Sequence, residues 1–339
     1  MKKRLLLLFL IGVATLRAQR IDFVWPTPNR AWAEGRPFPE YIQPTESGEP
    51  ESGCFGGVRS NGHQFHEGID LKPVRRDARG EPLDAIFAAL PGVVRYVNLR
   101  PEESTYGRYI VIEHPGMTPA VYTLYAHLAA VAPGVAAGAN VAGGQVIARM
   151  GHSAGGYPFP VERAHLHFEI GLMITRDFQA WYDWKKFPDP NEHGIWNGFN
   201  LMGFDPLDFL NKFRTRQVNN FADYFAQMQP AVRVRLATAK VPDFVQRYPS
   251  LLTKPLPPSG VVAGWEIACD WTGLPFRWTP LEANEAAGLA PEQPVVIWAD
   301  GKSQREHPSK SLIYPQGSGY AIDTDLAMVL QQLFGLRSF

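Results

Sequence analysis

The chain has 339 residues with 33 basic and 33 acidic side chains, so its formal net charge is zero. This balance leaves no basic excess to recruit nucleic acid, and we predict no nucleic-acid partner. Since a single hydrophobic core stops growing at about 250–300 residues, the length predicts one main domain and a smaller appended one. The 31 glycines and 30 prolines indicate a loop-rich β protein and argue against a helical bundle.

Residues 1–18 have the anatomy of a secretory signal peptide. Basic residues at 2–4 precede an apolar run at 5–16, and Ala18 is a small residue at the expected cleavage point. The apolar run is too short to span a bilayer comfortably, and no later stretch reaches that length. We therefore expect export to the periplasm or the extracellular side of the cell envelope, with no stable membrane insertion after cleavage.

Two cysteines occur, Cys54 and Cys269. In an exported protein they are able to form a disulfide or to remain separate buried thiols, and the sequence leaves both open. Because two cysteines cannot supply an all-thiolate zinc site, any metal must be held mainly by histidine and carboxylate groups.

The first half of the chain predicts an antiparallel β domain. Residues 19–55 are rich in proline, glycine and glutamate and predict an irregular lead-in. From residue 56 to residue 212, short apolar stretches recur about every ten residues between turn residues, without long helical periods. The fold class that follows is mainly β, built on an antiparallel β-sheet. The strand candidates are DAIFAAL, GVVRYVNL, YIVIEH, AVYTLYAHL, QVIARMG and AHLHFEIGL.

The second part of the chain has a different pattern. Residues 213–258 look helical and end in a proline-rich linker, KPLPPS. Residues 259–339 mix strand-like runs with helix candidates, which predicts a smaller α+β C-terminal region of unknown role. Thr279 begins a capping box followed by proline, which predicts a helix start there. The segment 323–336 has apolar residues at helical spacing and predicts a second helix. Tryptophans 265, 271, 278 and 298 suit either a glycan-binding surface or, more simply, a buried core.

Histidines occupy three of the strand candidates at positions that can share one face of a sheet. In FHEGIDL, His66 and Asp70 lie four residues apart with Gly68 between them. On a strand, positions 66, 68 and 70 face one side, and the glycine would leave room for an ion near the backbone. The other histidines in the pattern are His127, at the end of AVYTLYAHL, and His165 and His167, which alternate in AHLHFEI.

Together these residues predict a zinc site, although each alone is more simply a structural or solvated residue. Zinc prefers neutral imidazole and carboxylate ligands in a tetrahedron, with one open position for water when it is catalytic. His66, Asp70 and one histidine of the HLH pair would supply three ligands. The other histidine of that pair and His127 would then lie near the water, where imidazoles can take up and deliver protons near pH 7.

The order HxxxD, a strand ending YAHL, and HLHFEI resembles peptidase family M23, the lysostaphin-like or LytM-type peptidoglycan hydrolases. The resemblance covers residues 56–211 and implies a LytM-type peptidase core. It implies that His66, Asp70 and His167 bind Zn²⁺. Further segments that resemble the family are AIFAALPGVVRYV, GRYIVIEHPG, VYTLYAHL, GANVAGGQVIARMGHSAG and GFDPLDFL.

The same resemblance implies the chemistry. The zinc would polarise the scissile carbonyl and activate a water, in the hydrolysis of peptide bonds in peptidoglycan crosslinks. His127 and His165 would be the general base and the stabiliser of the tetrahedral oxyanion, in an order that the sequence leaves open. The sequence indicates no protein partner.

Two alternatives to this zinc metalloendopeptidase remain. Some members of the family have lost ligands and only regulate other cell-wall hydrolases, whereas every ligand position is filled here. Others cut glycine-rich proteins. Residues 75–82 and the loop between Gly151 and His165 are longer than the family pattern, and both are expected to flank the cleft, where they bear on substrate preference.

Overall fold

The computed structural model describes residues 19–337, so the predicted signal peptide at residues 1–18 lies outside the described residues. The chain up to residue 214 is mainly β, as the sequence predicts. Its strands are β1 (Gly56–Arg59), β2 (Gln64–His66), β3 (Ile69–Leu71), β4 (Ala85–Phe87), β5 (Gly92–Asn98), β6 (Tyr109–Glu113), β7 (Tyr122–Ala126), β8 (Leu128–Val131), β9 (Asn140–Val141), β10 (Val146–Met150), β11 (Leu166–Met173) and β12 (Leu201–Phe204), with helices α1 (Phe178–Lys185) and α2 (Pro206–Arg214).

A seven-stranded antiparallel sheet, in the order β12-β11-β7-β6-β5-β9 with β3 also paired to β11, organises this part of the chain. Strand β11 is buried along its whole length. Because side chains alternate across a strand, Phe168, Ile170 and Leu172 enter the main core while His167 and Glu169 point to the other face. The register places His167 directly opposite Asp70 of β3.

Two smaller sheets flank the main one. Strands β4, β10 and β8 form a three-stranded sheet, and β1 and β2 form a separate two-stranded hairpin. In that hairpin Gly56 pairs with His66, the last residue of β2. The hairpin therefore delivers His66 to the main sheet from outside it.

The C-terminal region is an α+β unit around a second sheet in the order β15-β14-β13-β16. Helix α6 matches the prediction for the segment 323–336, whereas the segment predicted as helical also contains β13. The elements are α3 (Phe221–Gln227), β13 (Val232–Ala237), α4 (Asp243–Arg247), β14 (Gly264–Cys269), β15 (Pro275–Leu281), β16 (Val295–Ala299), α5 (Gly301–Glu306), β17 (Ile313–Gln316), β18 (Gly319–Ile322) and α6 (Thr324–Phe334).

The prediction of a helix starting at Thr279 is wrong. Thr279 lies within β15 and pairs with Glu266 of β14. On either side of it, Trp278 and Pro280 are buried in the strand. Strand pairing and burial of this segment therefore override the local capping signal, since propensity is a weak prior against tertiary packing.

The two regions share one hydrophobic core, whose buried residues run from Trp25 to Leu336. The Tyr248 hydroxyl, for example, accepts a hydrogen bond from the backbone of Met173 at 3.1 Å. Trp265 and Trp278 are fully buried, while Trp298 is 44% exposed. Cys54 and Cys269 are both free thiols. Among residues 19–337, no helix has the length and apolar character needed to cross a membrane.

Candidate metal centre

His66, Asp70 and His167 converge where the hairpin, β3 and β11 meet. His66 ends β2 and Asp70 lies in β3, with a two-residue connection between the strands. At Gly68 in that connection, a β-carbon would lie 2.4 Å from the carbonyl oxygen of Phe168. The glycine is therefore required for close approach to β11, and not, as the sequence suggested, to leave room for an ion.

One atom from each of these three side chains contributes to a nearly equilateral triangle. His66 Nε2 lies 3.0 Å from His167 Nδ1 and 3.1 Å from Asp70 Oδ1, and His167 Nδ1 lies 3.1 Å from the same carboxylate oxygen. Tetrahedral zinc, with bonds of about 2.0–2.1 Å, would set its ligand atoms about 3.3–3.4 Å apart. The side chains are buried, and two imidazole nitrogens face each other at a distance that a proton or cation must bridge. This donor set and spacing fit a zinc ion.

The second nitrogen of each imidazole has its own partner, which sets the tautomer. His66 Nδ1–H donates to the Cys54 carbonyl at 2.7 Å, so Nε2 keeps its lone pair for the triangle. His167 Nε2–H donates to Glu169 Oε1 at 3.0 Å, which leaves Nδ1 free in the same way. Such outer partners orient metal-ligating histidines and raise their basicity.

Glu169 is itself held by two tyrosines. Its carboxylate accepts a hydrogen bond from the Tyr106 hydroxyl at 2.6 Å and another from the Tyr122 hydroxyl at 2.9 Å. The side chain is 1% exposed, so these donors and His167 satisfy a charge that would otherwise be costly to bury. The group fixes the plane of the His167 ring.

Asp70 is oriented by its outer oxygen. Oδ2 accepts hydrogen bonds from Arg59 Nη2 at 2.6 Å and from Thr45 Oγ1 at 2.8 Å, which leaves Oδ1 at the triangle. Burial alone would raise the pKa of Asp70, but the imidazoles of His165 and His66 and its hydrogen bonds hold the pKa well below its usual value. The carboxylate is thus ionised, as a metal ligand must be.

His167 carries an additional proton when no cation is bound. Burial lowers its pKa, but hydrogen bonds to Asp70 and Glu169 outweigh burial and raise the pKa to about 9. Metal binding at Nδ1 requires release of this proton, so affinity for a cation is expected to rise with pH.

His127 and His165 stand beside the triangle. Each donates its Nδ1–H to a backbone carbonyl, His127 to Ser153 at 2.8 Å and His165 to Arg163 at 2.6 Å, so each keeps an Nε2 lone pair. Their rings are 4.8 Å apart, and His165 Nε2 is 3.4 Å from Asp70 Oδ1. Burial lowers the pKa of His165 to about 4 and that of His127 well below its usual value, so both are neutral at pH 7.

The backbone at His127 departs from the predicted strand. Strand β7 ends at Ala126, and His127 adopts φ 59°, in the left-handed region, before β8 begins. Its N–H donates to the Tyr106 carbonyl at 2.9 Å. A non-glycine residue in this region is strained, and such strain persists where surrounding structure holds it.

The two long loops meet next to these histidines. Phe159 stacks on His165 with ring centroids 4.9 Å apart, and its ring lies edge-on to His127 at 4.9 Å. The Arg76 guanidinium ties the loops together, because it donates to the carbonyls of Gly80 at 2.8 Å and Val161 at 2.6 Å. Phe159 therefore forms a wall of the site.

Sequence reasoning missed the residues that orient the ligands. Glu169 had a signal, since it follows His167 by two positions and so shares its face of β11. Thr45, Arg59 and Tyr106 gave none, because their partners lie far away in sequence and only the fold brings them together.

Comparisons with known proteins support this description. Residues 64–176 match the family model described as Peptidase family M23, a span that includes all five predicted site residues. A comparison with curated protein sequences gives no match.

Three solved structures illustrate the structural similarity. A zinc-containing peptidase from Vibrio cholerae is 31% identical over 31% of this chain, which spans 26% of that protein, with a TM-score of 0.23. The catalytic domain of lysostaphin from Staphylococcus simulans is 18% identical over 54% of this chain and 98% of its own, with a TM-score of 0.30. A putative glycyl-glycine endopeptidase from Ruminococcus gnavus is 21% identical over 45% of this chain and 53% of its own, with a TM-score of 0.27. With its metal-site residues and its family match taken together, the segment from residue 64 to residue 176 belongs to peptidase family M23.

Proposed function

We propose that this protein is an exported, zinc-dependent endopeptidase that hydrolyses peptide bonds in peptidoglycan crosslinks. The observation that carries the proposal is the triangle of His66 Nε2, Asp70 Oδ1 and His167 Nδ1, with sides of 3.0–3.1 Å. Each of its three side chains is oriented by a further hydrogen bond, which is typical of a built metal site.

Zinc held by these residues would polarise the scissile carbonyl and lower the pKa of a bound water. His127 and His165 present Nε2 lone pairs on the same side of the triangle, so either is able to accept a proton from the attacking water. Once protonated, that Nε2 becomes a donor and can return the proton to the leaving amine. The other imidazole lies within 4.8 Å, ring to ring, where it can contact the carbonyl oxygen.

Phe159 and the loops that carry it exclude water from one side of the two histidines. Burial of the site strengthens each hydrogen bond made within it, since the local dielectric is low. The extended loops also narrow the approach to the site, so they are the part of the chain that would select among crosslink peptides.

The test is digestion of purified sacculi, with mass spectrometry of the released muropeptides. We expect release of peptide fragments that stops with a chelator, returns with added zinc, and is lost in His167→Ala. The matched control is His63→Ala, since His63 is an exposed histidine on the same hairpin. Fragment release that is unchanged in His167→Ala would contradict the proposal.

Parallel digestion of a glycine-rich protein separates the proposed substrate from the alternative one. Cleavage of that protein without release from sacculi would redirect the proposal to protein substrates. Export is tested by N-terminal sequencing of the mature protein, for which cleavage after Ala18 is expected. Recovery of an uncleaved protein in the cytoplasm would contradict it.

A further inference from the structure

Much of the support for the metal centre comes from one short stretch of chain. We call residues 54–66, which contain β1 and β2, the metal-site hairpin. It carries the ligand His66, the Cys54 carbonyl that accepts the His66 Nδ1–H, and Arg59, whose guanidinium lies 2.6 Å from Asp70 Oδ2. A shift of this hairpin would displace two of the three ligands from their geometry.

The metal-site hairpin cannot owe its rigidity to the main sheet alone. Its two strands pair with each other in a sheet separate from the seven-stranded one. Its register also slips between Gly57 and Arg59. An isolated two-stranded hairpin is marginally stable in water at best, so this one needs packing from elsewhere.

That packing comes from the C-terminal region. We call Trp271 and residues 307–310 the C-terminal clamp. The Trp271 ring centroid lies 5.8 Å from those of both Phe55 and Phe65, on the metal-site hairpin. A β-carbon at Gly56, where φ is 106°, would lie 2.9 Å from Trp271 Cη2, so the indole sits directly against the hairpin backbone.

The rest of the clamp closes on the same hairpin. Lys310 Nζ lies 4.0 Å above the Phe65 ring, and Ser309 Oγ would be 2.6 Å from a β-carbon at Gly57. His307 stacks on the outer side of Trp271 at 3.9 Å. The clamp thus contacts the hairpin at positions 55, 56, 57 and 65, on both sides of its ligand-bearing end.

We propose that the C-terminal clamp holds the metal-site hairpin in register for metal binding, which makes Trp271 a positioning residue for the metal centre. This gives the C-terminal region a function within the peptidase and not only beside it. The inference rests on the proposed zinc site, and the test below separates the two. Trp271 acts through the hairpin, and the structure shows it packed against Phe55 and Phe65 and not against the ligands themselves.

The experiment compares Trp271→Ala with the matched control Trp298→Ala in the full mature chain. Trp298 belongs to the same C-terminal sheet but is 44% exposed and contacts Arg233. Two quantities are measured: the zinc dissociation constant by competition with a chelator, and hydrogen exchange of amides 54–66 in the zinc-free protein. We expect Trp271→Ala to weaken zinc binding about 10- to 100-fold, as loss of outer-shell support does. Exchange of amides 54–66 should speed up while that of β6 and β7 stays unchanged.

The outcomes are distinct. Unchanged exchange in the hairpin, or faster exchange with unchanged zinc affinity, overturns the inference. A wild-type protein that binds no zinc refutes the proposed function, and hydrogen exchange alone then decides whether the clamp holds the hairpin. If Trp271→Ala does not fold, Trp271→Phe and Lys310→Ala replace it. Zinc affinity equal to wild type in both of these would overturn the inference as well.

Discussion

The carboxylate of Glu169 offers a test that separates charge from shape at the metal centre. In Glu169→Gln, the amide oxygen can take the place of Oε1 and accept from His167 Nε2–H and the Tyr106 hydroxyl. The amide NH₂ then takes the place of Oε2 and donates to the Tyr122 hydroxyl oxygen, because a hydroxyl serves as donor or acceptor. All the partners stay satisfied, and what is lost is the negative charge next to His167.

The magnitude follows from the three bonds that Glu169 accepts. Each bond to a charged acceptor exceeds a neutral one by about 1 kcal/mol, so Glu169→Gln should lower the free energy of unfolding by no more than about 3 kcal/mol. Zinc affinity should fall about 10- to 100-fold, because His167 becomes less basic. Glu169→Ala differs, since it orphans three buried donors at about 1–3 kcal/mol each and should lower the free energy of unfolding by at least about 3 kcal/mol.

Denaturant unfolding and zinc titration against a competing chelator measure both effects. Glu113→Gln is the control, because Glu113 makes an exposed ion pair with Arg95 in the same sheet and such pairs contribute about 0–1 kcal/mol. If Glu169→Gln binds zinc as tightly as the wild-type protein, the reasoning about His167 basicity is refuted.

Two further predictions concern the frame around the site. Gly68→Ala should lower the free energy of unfolding by about 1–3 kcal/mol, because its β-carbon would meet the Phe168 carbonyl oxygen at 2.4 Å; Gly116→Ala, which meets no described atom within 4 Å, should change it little, and equal denaturation midpoints would contradict this. Burial lowers the pKa of His114 to about 4, below its usual 6.5, so the unfolded chain binds a proton first as pH falls. The free energy of unfolding should therefore decrease by about 3 kcal/mol between pH 6.5 and pH 4 through this residue. His114→Gln should remove that part of the pH dependence, and the same slope in wild-type and variant proteins would refute it.

The chemistry of the site was legible in the sequence. The alternation in HLHFEI and the spacing of HxxxD are local patterns, and the side-chain period of a strand by itself places such residues on common faces. Imidazole and carboxylate groups in those positions suit zinc whatever the surrounding fold. The antiparallel sheet followed in the same way from short apolar stretches between turn residues, and α6 from apolar residues at helical spacing.

What only the tertiary structure decided is which atoms meet and what holds them. His66 and His167 are 101 residues apart in sequence, and no local pattern specifies that Nε2 of one faces Nδ1 of the other at 3.0 Å. That geometry depends on the hydrogen bonds to the Cys54 carbonyl and to Glu169. The same limit explains the error at Thr279, where pairing with β14 outweighed a capping signal. It also explains why Trp271 showed no role in the sequence: its contacts with the metal-site hairpin form only when the two ends of one continuous core pack together.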